Sequence, residues 1–227
     1  MTNITENIDR LRCQIQRLEQ QYGRPANSVS LLAVSKRHSV ESIIEANQAG
    51  LYNFGENYLQ EAIDKILQLQ ELELNWHFIG PIQANKTRAI AEYFQWAHSV
   101  DRAKIAQRLS DQRDNNAPPL NICVQVNLSE EESKSGVALN EAEALCDTVE
   151  KLPNLQLRGL MAIPAALDNL NAQRQVFSLL AKEFARLQPR YSQLDTLSMG
   201  MSNDFEAAIA EGSTLIRIGT SIFGARS

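Results

Sequence analysis

Short apolar runs alternate along this chain with longer stretches whose apolar residues recur every three or four positions, and no other feature constrains its fold as tightly. Ile4, Ile8, Leu11, Ile15 and Leu18 make one apolar face of a first helix, which Gly23 and Pro25 end. The run Ser30–Val34 is too short for a helix and suits a buried strand, closing on Ser35 and Lys36. Ser39 then caps a helix carrying Val40, Ile43, Ile44 and Ala46, which Gly50 closes. The two patterns keep alternating. Further strands are predicted at 52–55, 76–79, 96–100, 121–126, 157–163, 194–199 and 215–218. Further helices are predicted at 58–70 (apolar at Ile63, Ile66, Leu67 and Leu69), 85–94, from an Asp101 cap to about 115, 139–151, 170–188 and 205–211.

Strands that alternate with helices imply a parallel sheet, and eight of them close most simply into a barrel. The expected fold is therefore α/β, a single-domain (β/α)8 barrel of the TIM type over 1–227, with an extra N-terminal helix. A doubly wound open sheet is the alternative that the pattern leaves. Little follows the eighth strand, so the N-terminal helix is expected to occupy the place of the missing last helix.

Charge and cysteine content exclude several classes of function. With 22 Lys and Arg against 27 Asp and Glu, the net charge of −5 argues against nucleic acid or an anionic membrane as partner, though not against a local pocket for one phosphate. Cys13, Cys123 and Cys146 have neither metal-ligand spacing nor the even count of a disulfide framework. The N-terminus shows no apolar segment of a leader, and no run approaches the roughly 18 apolar residues of a membrane span. The chain reads as soluble and cytoplasmic.

In such a barrel the active site lies at the C-terminal ends of the strands. Lys36 ends the first. Gly55, Glu56 and Asn57 end the second, and the segment from Gly80 to Gln83 the third. Ser202 follows the seventh, while Arg217 interrupts the apolar eighth strand just before Gly219, Thr220 and Ser221. A lysine there is either a surface residue or a Schiff-base amine. A buried arginine needs either a carboxylate or a polar ligand. The Gly-Thr-Ser run offers amides and hydroxyls to an anion, and phosphate sites in these barrels sit after strands seven and eight. Together the three point to a phosphorylated aldehyde. His77 reads as a hydrogen-bonded core histidine, His38 and His98 lack metal spacing, and Met199 and Met201 pack either in the core or against a flat ring. Glu130, Glu131, Glu132 and Lys134 read as a solvated loop. There is no Walker loop, dinucleotide fingerprint or nucleophile elbow.

The segments 33–36 (AVSK), 54–58 (FGENY), 77–83 (HFIGPIQ), 159–163 (GLMAI), 198–204 (SMGMSND) and 217–224 (RIGTSIFG) span nearly the whole chain. In their order they resemble the pyridoxal phosphate homeostasis protein family. The resemblance implies a barrel similar to the N-terminal domain of alanine racemase, with pyridoxal 5′-phosphate held on Lys36 as a Schiff base. It implies Arg217 at the pyridine nitrogen, Ser202, Gly219 and Thr220 at the phosphate, and Asn57 and Met199 beside the ring. It further implies a role in vitamin B6 homeostasis and amino/keto-acid balance without established catalysis.

Two arguments favour a carrier over an enzyme. Arg217 cannot accept a proton, so the ring nitrogen is expected to stay unprotonated and the ring to be a weak electron sink. The chain ends soon after Gly224, so the second racemase domain, with its opposing acid/base, is not expected in cis. The alternatives are an amino-acid racemase completed by a partner subunit and a Schiff-base aldolase acting on a sugar phosphate. A monomer is expected, a dimer being the alternative, with apo forms of pyridoxal-phosphate enzymes as recipients of the cofactor.

Overall fold

The computed structural model describes residues 3–129 and 135–224. Helix α1 (Ile4–Gln21) precedes β1 (Ser30–Val34), α2 (Val40–Gln48), β2 (Asn53–Glu56), α3 (Leu59–Gln68), β3 (Asn75–Phe78) and α4 (Thr87–Tyr93). Then come β4 (Trp96–Val100), α5 (Ala103–Gln112), β5 (Leu120–Asn127), a two-residue β6 (Val137–Ala138) and α6 (Ala142–Glu150). The chain continues through β7 (Leu155–Met161), α7 (Leu170–Leu187), β8 (Thr196–Ser198), α8 (Phe205–Ala210), β9 (Leu215–Ile218) and α9 (Thr220–Phe223).

All the pairings are parallel. The order runs β4-β3-β2-β1-β9-β8-β7-β5, and a further β4–β5 pairing closes the ring into a barrel of eight strands. The open-sheet alternative is thereby excluded. The small β6 adds to the outer part of β5, opposite Val126 and Asn127. The first and last barrel strands are neighbours: Ser30, Leu31, Leu32 and Ala33 pair with Leu215, Ile216, Arg217 and Ile218.

Alternation along the strands divides the apolar residues into two cores. Ala33, Phe54, Phe78, Leu197 and Ile216 point outward into a continuous layer beneath the helices, whereas Leu32, Val34, Ile79 and Leu215 form a small cluster within the barrel. Helix α1 packs against α2, α8 and α9, where the eighth outer helix would stand. Its buried Ile8, Leu11, Ile15 and Leu18 hold it there, and Asn7 Nδ2 donates to Ile222 O at 3.0 Å.

Three local readings need correction. Asp101 does not cap α5; it pairs with Arg102, which occupies the cap position without a side-chain cap bond. Strand β7 ends at Met161 and not at Ile163, which is exposed ahead of Pro164. Helix α3 departs in part from the predicted face: Ala62 and Lys65 are buried and Leu67 is 48% exposed, with Lys65 turned inward to three oxygen partners, while Leu69, just past the helix, is buried as predicted. The expected loop of Glu130, Glu131, Glu132 and Lys134 lies outside the described residues.

If α1 completes the outer layer, removing its central contact has a core-sized cost. Ile8→Ala is expected to lower the unfolding free energy by about 2–4 kcal/mol in denaturant titration. A change below about 0.5 kcal/mol would show that the helix is only appended.

Candidate functional site

The pairing of β1 with β9 decides where the chemistry-bearing residues meet. Leu32 lies opposite Arg217. Beyond them the ladder continues with Ser35 N donating to Gly55 O at 3.1 Å, so Lys36 rises from the rim between β2 and β9, on the same strand parity as the inward Leu32 and Val34. Gly219 leaves β9 beside it; a Cβ there would stand 3.2 Å from Val34 O. On the other flank Arg217 N donates to Gly200 O at 2.9 Å, which sets the start of the loop after β8, the loop that carries Ser202, beside β9. Ser202 is half-buried and Thr220 exposed. Thr220 and Ser221 begin the short α9, where amides have no acceptor within the helix.

Arg217 is 4% exposed, and its bonding is unusual for a buried cation. Nη1 donates to Ser198 O and Ser198 Oγ, both at 2.8 Å, and Nη2 donates to Ala162 O at 2.9 Å. Among the described residues no carboxylate bonds to it. The cation is held by carbonyl dipoles and a hydroxyl, with donor capacity left over. Burial lowers its pKa to about 10, so it stays charged at neutral pH.

Behind Arg217 a row of polar groups crosses the barrel interior. Ser198 Oγ lies 3.1 Å from His98 Nδ1, His98 Nε2 lies 2.9 Å from His77 Nδ1, and His77 Nε2 lies 3.3 Å from Asn53 Oδ1. The ends set its polarity. Arg217 only donates, so Ser198 accepts from it and gives its own proton to His98 Nδ1. Each imidazole then carries its proton on Nε2, and the row finishes on the Asn53 carbonyl. Burial lowers the His77 pKa to about 3. It holds His98 well below the ordinary value too, with His77 and Arg217 adding to the effect. His77 is thus a hydrogen-bonded core histidine, as its sequence context implied. The roles of His98 and Ser198 were missed, although their spacing from outward Ala97 and Leu197 marks them as inward-facing.

The turn that carries Lys36 is held from below. Ser35 Oγ donates to Glu56 Oε1 at 2.7 Å, Lys65 Nζ donates to Ser35 O at 2.8 Å, and Arg37 N donates to Glu61 Oε1 at 2.6 Å. Arg37 adopts φ 62°, a conformation costing about 1–3 kcal/mol for a residue with a side chain. His38 stacks on Phe223 at 4.8 Å, tying the same turn to α9.

Across the mouth, Asn57, Ile79, Pro81, Ser99, Gln125, Ser135, Ile163 and Pro164 line a cavity of about 280 Å³. Asn57 Oδ1 and Ser99 Oγ are buried there without a hydrogen-bond partner. Asn57 is held in place by close packing, for a Cβ on Gly80 would run into its backbone, 2.9 Å from its Cα. Met199 is fully buried in the layer under the helices, on the opposite strand face from Ser198. A buried cation lacking a carboxylate and orphaned polar atoms at one rim are the marks of a site built for a polar, anionic ligand. Among the described residues no cluster of His, Cys, Asp or Glu could hold a metal ion, and no helix is long and apolar enough to cross a membrane.

Residues 7–227 match the family model described as alanine racemase, N-terminal domain, so fold and site define a barrel protein of that class. Solved alanine racemases share the fold at low identity; against the Enterococcus faecalis enzyme the TM-score is 0.70 at 18% identity, with 98% of this chain and 58% of that chain covered. The chain belongs to the family of pyridoxal phosphate homeostasis proteins. It is 56% identical to the protein of that name from Pseudomonas aeruginosa, covering 100% of this chain and 97% of the relative. To the Escherichia coli protein of the same name it is 51% identical, covering 100% and 98%. The PipY structure from Synechococcus elongatus with pyridoxal phosphate bound superposes with a TM-score of 0.85 at 38% identity, covering 97% of this chain and 100% of that one.

Neutral buried histidines give the fold a definite response to acid. Between pH 6.5 and the folded value of about 3 for His77, the unfolded chain binds protons that the fold does not, so stability falls as pH falls. Each histidine contributes up to about 1.4 kcal/mol per pH unit within its window. Denaturant unfolding between pH 6.5 and about 5 is expected to show this slope, and His77→Gln/His98→Gln to flatten it. Equal slopes in both proteins would mean that the pair is not buried neutral.

Proposed function

We propose that this protein binds pyridoxal 5′-phosphate, holds it on Lys36 and serves vitamin B6 homeostasis and amino/keto-acid balance as a carrier, not as a catalyst. One juxtaposition carries the reading: a lysine at the end of β1, a carboxylate-free arginine in β9 and the Gly219-Thr220 turn occupy a single rim. The names of its relatives and the cofactor in the PipY structure point the same way.

In this assignment Lys36 supplies the amine. Ser202, Gly219 and Thr220 receive the phosphate, which α9 leaves accessible to solvent. Arg217 directs a spare N–H toward the ring nitrogen, and Asn57 offers its orphaned Oδ1 at the mouth. Met199 supports the wall from the helix side of β8. When bound, the cofactor supplies a reactive aldehyde on an electron-withdrawing ring. Arg217 stays charged at neutral pH and takes no proton from the ring nitrogen, and its hydrogen bonds go to carbonyls and a hydroxyl. The neutral His98 and Ser198 fix its guanidinium and add no charge. An unprotonated ring nitrogen weakens carbanion stabilisation, which disfavours transamination and decarboxylation. The setting is the cytoplasm, and apo enzymes that use the same cofactor are the recipients.

Borohydride reduction of the loaded protein followed by peptide mass analysis is expected to place the label on Lys36, and Lys36→Ala to abolish it. Thr220→Ala is expected to weaken cofactor retention on dialysis about tenfold, the loss of one charge-assisted hydrogen bond. A label on another residue, or retention unchanged in Thr220→Ala, would overturn the respective assignment.

A further inference from the structure

The densest buried charge outside these groups lies directly beneath the Lys36 turn. Lys65 on α3 is 5% exposed, and its Nζ donates to Ser35 O at 2.8 Å, Glu56 Oε1 at 2.8 Å and Glu61 Oε1 at 2.6 Å. Glu56 is fully buried; its Oε1 also accepts from Ser35 Oγ, while Oε2 has no partner. Burial raises the Glu56 pKa, and Lys65 and Ser35 oppose that rise. Glu61 Oε1 accepts from both Lys65 and Arg37 N.

A buried ion pair of this kind adds little stability over well-packed apolar side chains. The bonds made here have a common target. They grip Ser35 at hydroxyl and carbonyl and Arg37 at its amide, the two residues that flank Lys36. They also hold Arg37 at φ 62°, a conformation that a residue with a side chain keeps only when its surroundings impose it.

We propose that Lys65, Glu56 and Glu61 form a clamp that fixes the direction in which Lys36 leaves β1, making them positioning residues for aldehyde capture. This rests on Lys36 being the attachment point. In the captured step the Lys36 amine adds to the aldehyde carbon, a carbon–nitrogen double bond forms, and the aldehyde oxygen leaves as water without any redox change. The phosphate and ring contacts are assigned to Ser202, Arg217, Gly219 and Thr220, and to Asn57, which follows Glu56; Glu61 bonds instead to Lys65 and to the Arg37 amide. Aldehyde capture and non-covalent recognition therefore respond separately to its loss.

Glu61 is the informative position, because its side chain is 31% exposed and its removal strands no fully buried partner. The full chain is prepared unaltered and as Glu61→Ala, Glu61→Gln and Lys36→Ala. Two quantities are measured: the rate of capture of pyridoxal 5′-phosphate, by absorbance and borohydride trapping, and the dissociation constant of pyridoxine 5′-phosphate, which has no aldehyde. Glu61→Ala is expected to slow capture by about tenfold to a hundredfold, as a misplaced reacting group does. Glu61→Gln, which keeps the acceptor oxygen, is expected to restore most of the rate. Pyridoxine 5′-phosphate is expected to bind the unaltered chain, Glu61→Ala and Glu61→Gln within about twofold, since its contacts lie elsewhere. Unchanged capture in Glu61→Ala, or an equal loss for both ligands, would overturn the clamp. Trapping on a residue other than Lys36 in the unaltered chain would instead overturn the attachment point itself.

Discussion

The site depends on the parallel pairing of the first and last barrel strands, β1 with β9. These strands come from opposite ends of the sequence, and neither carries a site alone. Joined with Leu32 opposite Arg217, they place Lys36, Arg217 and Gly219 on one rim. A different register between these strands would lose this convergence and disturb the core as well, because a one-residue slip turns every inward side chain outward. Helix α1 guards that seam from outside by packing on α2, α8 and α9, which links an apparently peripheral element to the geometry of the mouth.

The second organising feature is a buried cation to which no carboxylate hydrogen-bonds among the described residues, although Asp204 acts on it through space. Arg217 is solvated by the carbonyls of Ser198 and Ala162 and by the Ser198 hydroxyl. The neutral histidines behind it continue the hydrogen bonding across the barrel without adding charge. A carboxylate at this position would stabilise the guanidinium and consume the donors that a ligand needs. Leaving them to weaker dipolar partners keeps donors free for the ligand in the proposed assignment.

Much of this was legible in the sequence, for identifiable reasons. The strands Ser30–Val34, Trp96–Val100 and Leu215–Ile218 coincide with their predicted bounds because apolar runs there stop abruptly at polar or glycine residues. The seventh predicted strand is shorter, Thr196–Ser198, with Leu194 closing a turn on Tyr191 ahead of it. Lys36 and Arg217 stood out because a charge ending or interrupting a buried run demands an explanation. The support beneath them did not stand out. Lys65 and Glu61 sit in a helix whose apolar residues suggested another face, and Glu56 resembles any acid at a strand end. Only the three-dimensional meeting of α3 with the β1 turn shows that Lys65 faces inward. The His77–His98–Ser198 row was hidden likewise, since residues 21 and 100 positions apart become neighbours only when the barrel closes.

The convergence of the two terminal strands is tested most directly by a crystal structure of the protein soaked with pyridoxal 5′-phosphate. The account predicts continuous density from Lys36 Nζ into the cofactor, the ring nitrogen within hydrogen-bonding distance of Arg217, and the phosphate on the Gly219-Thr220 turn with Ser202. Cofactor density away from this rim, or a phosphate at the opposite end of the barrel, would contradict it.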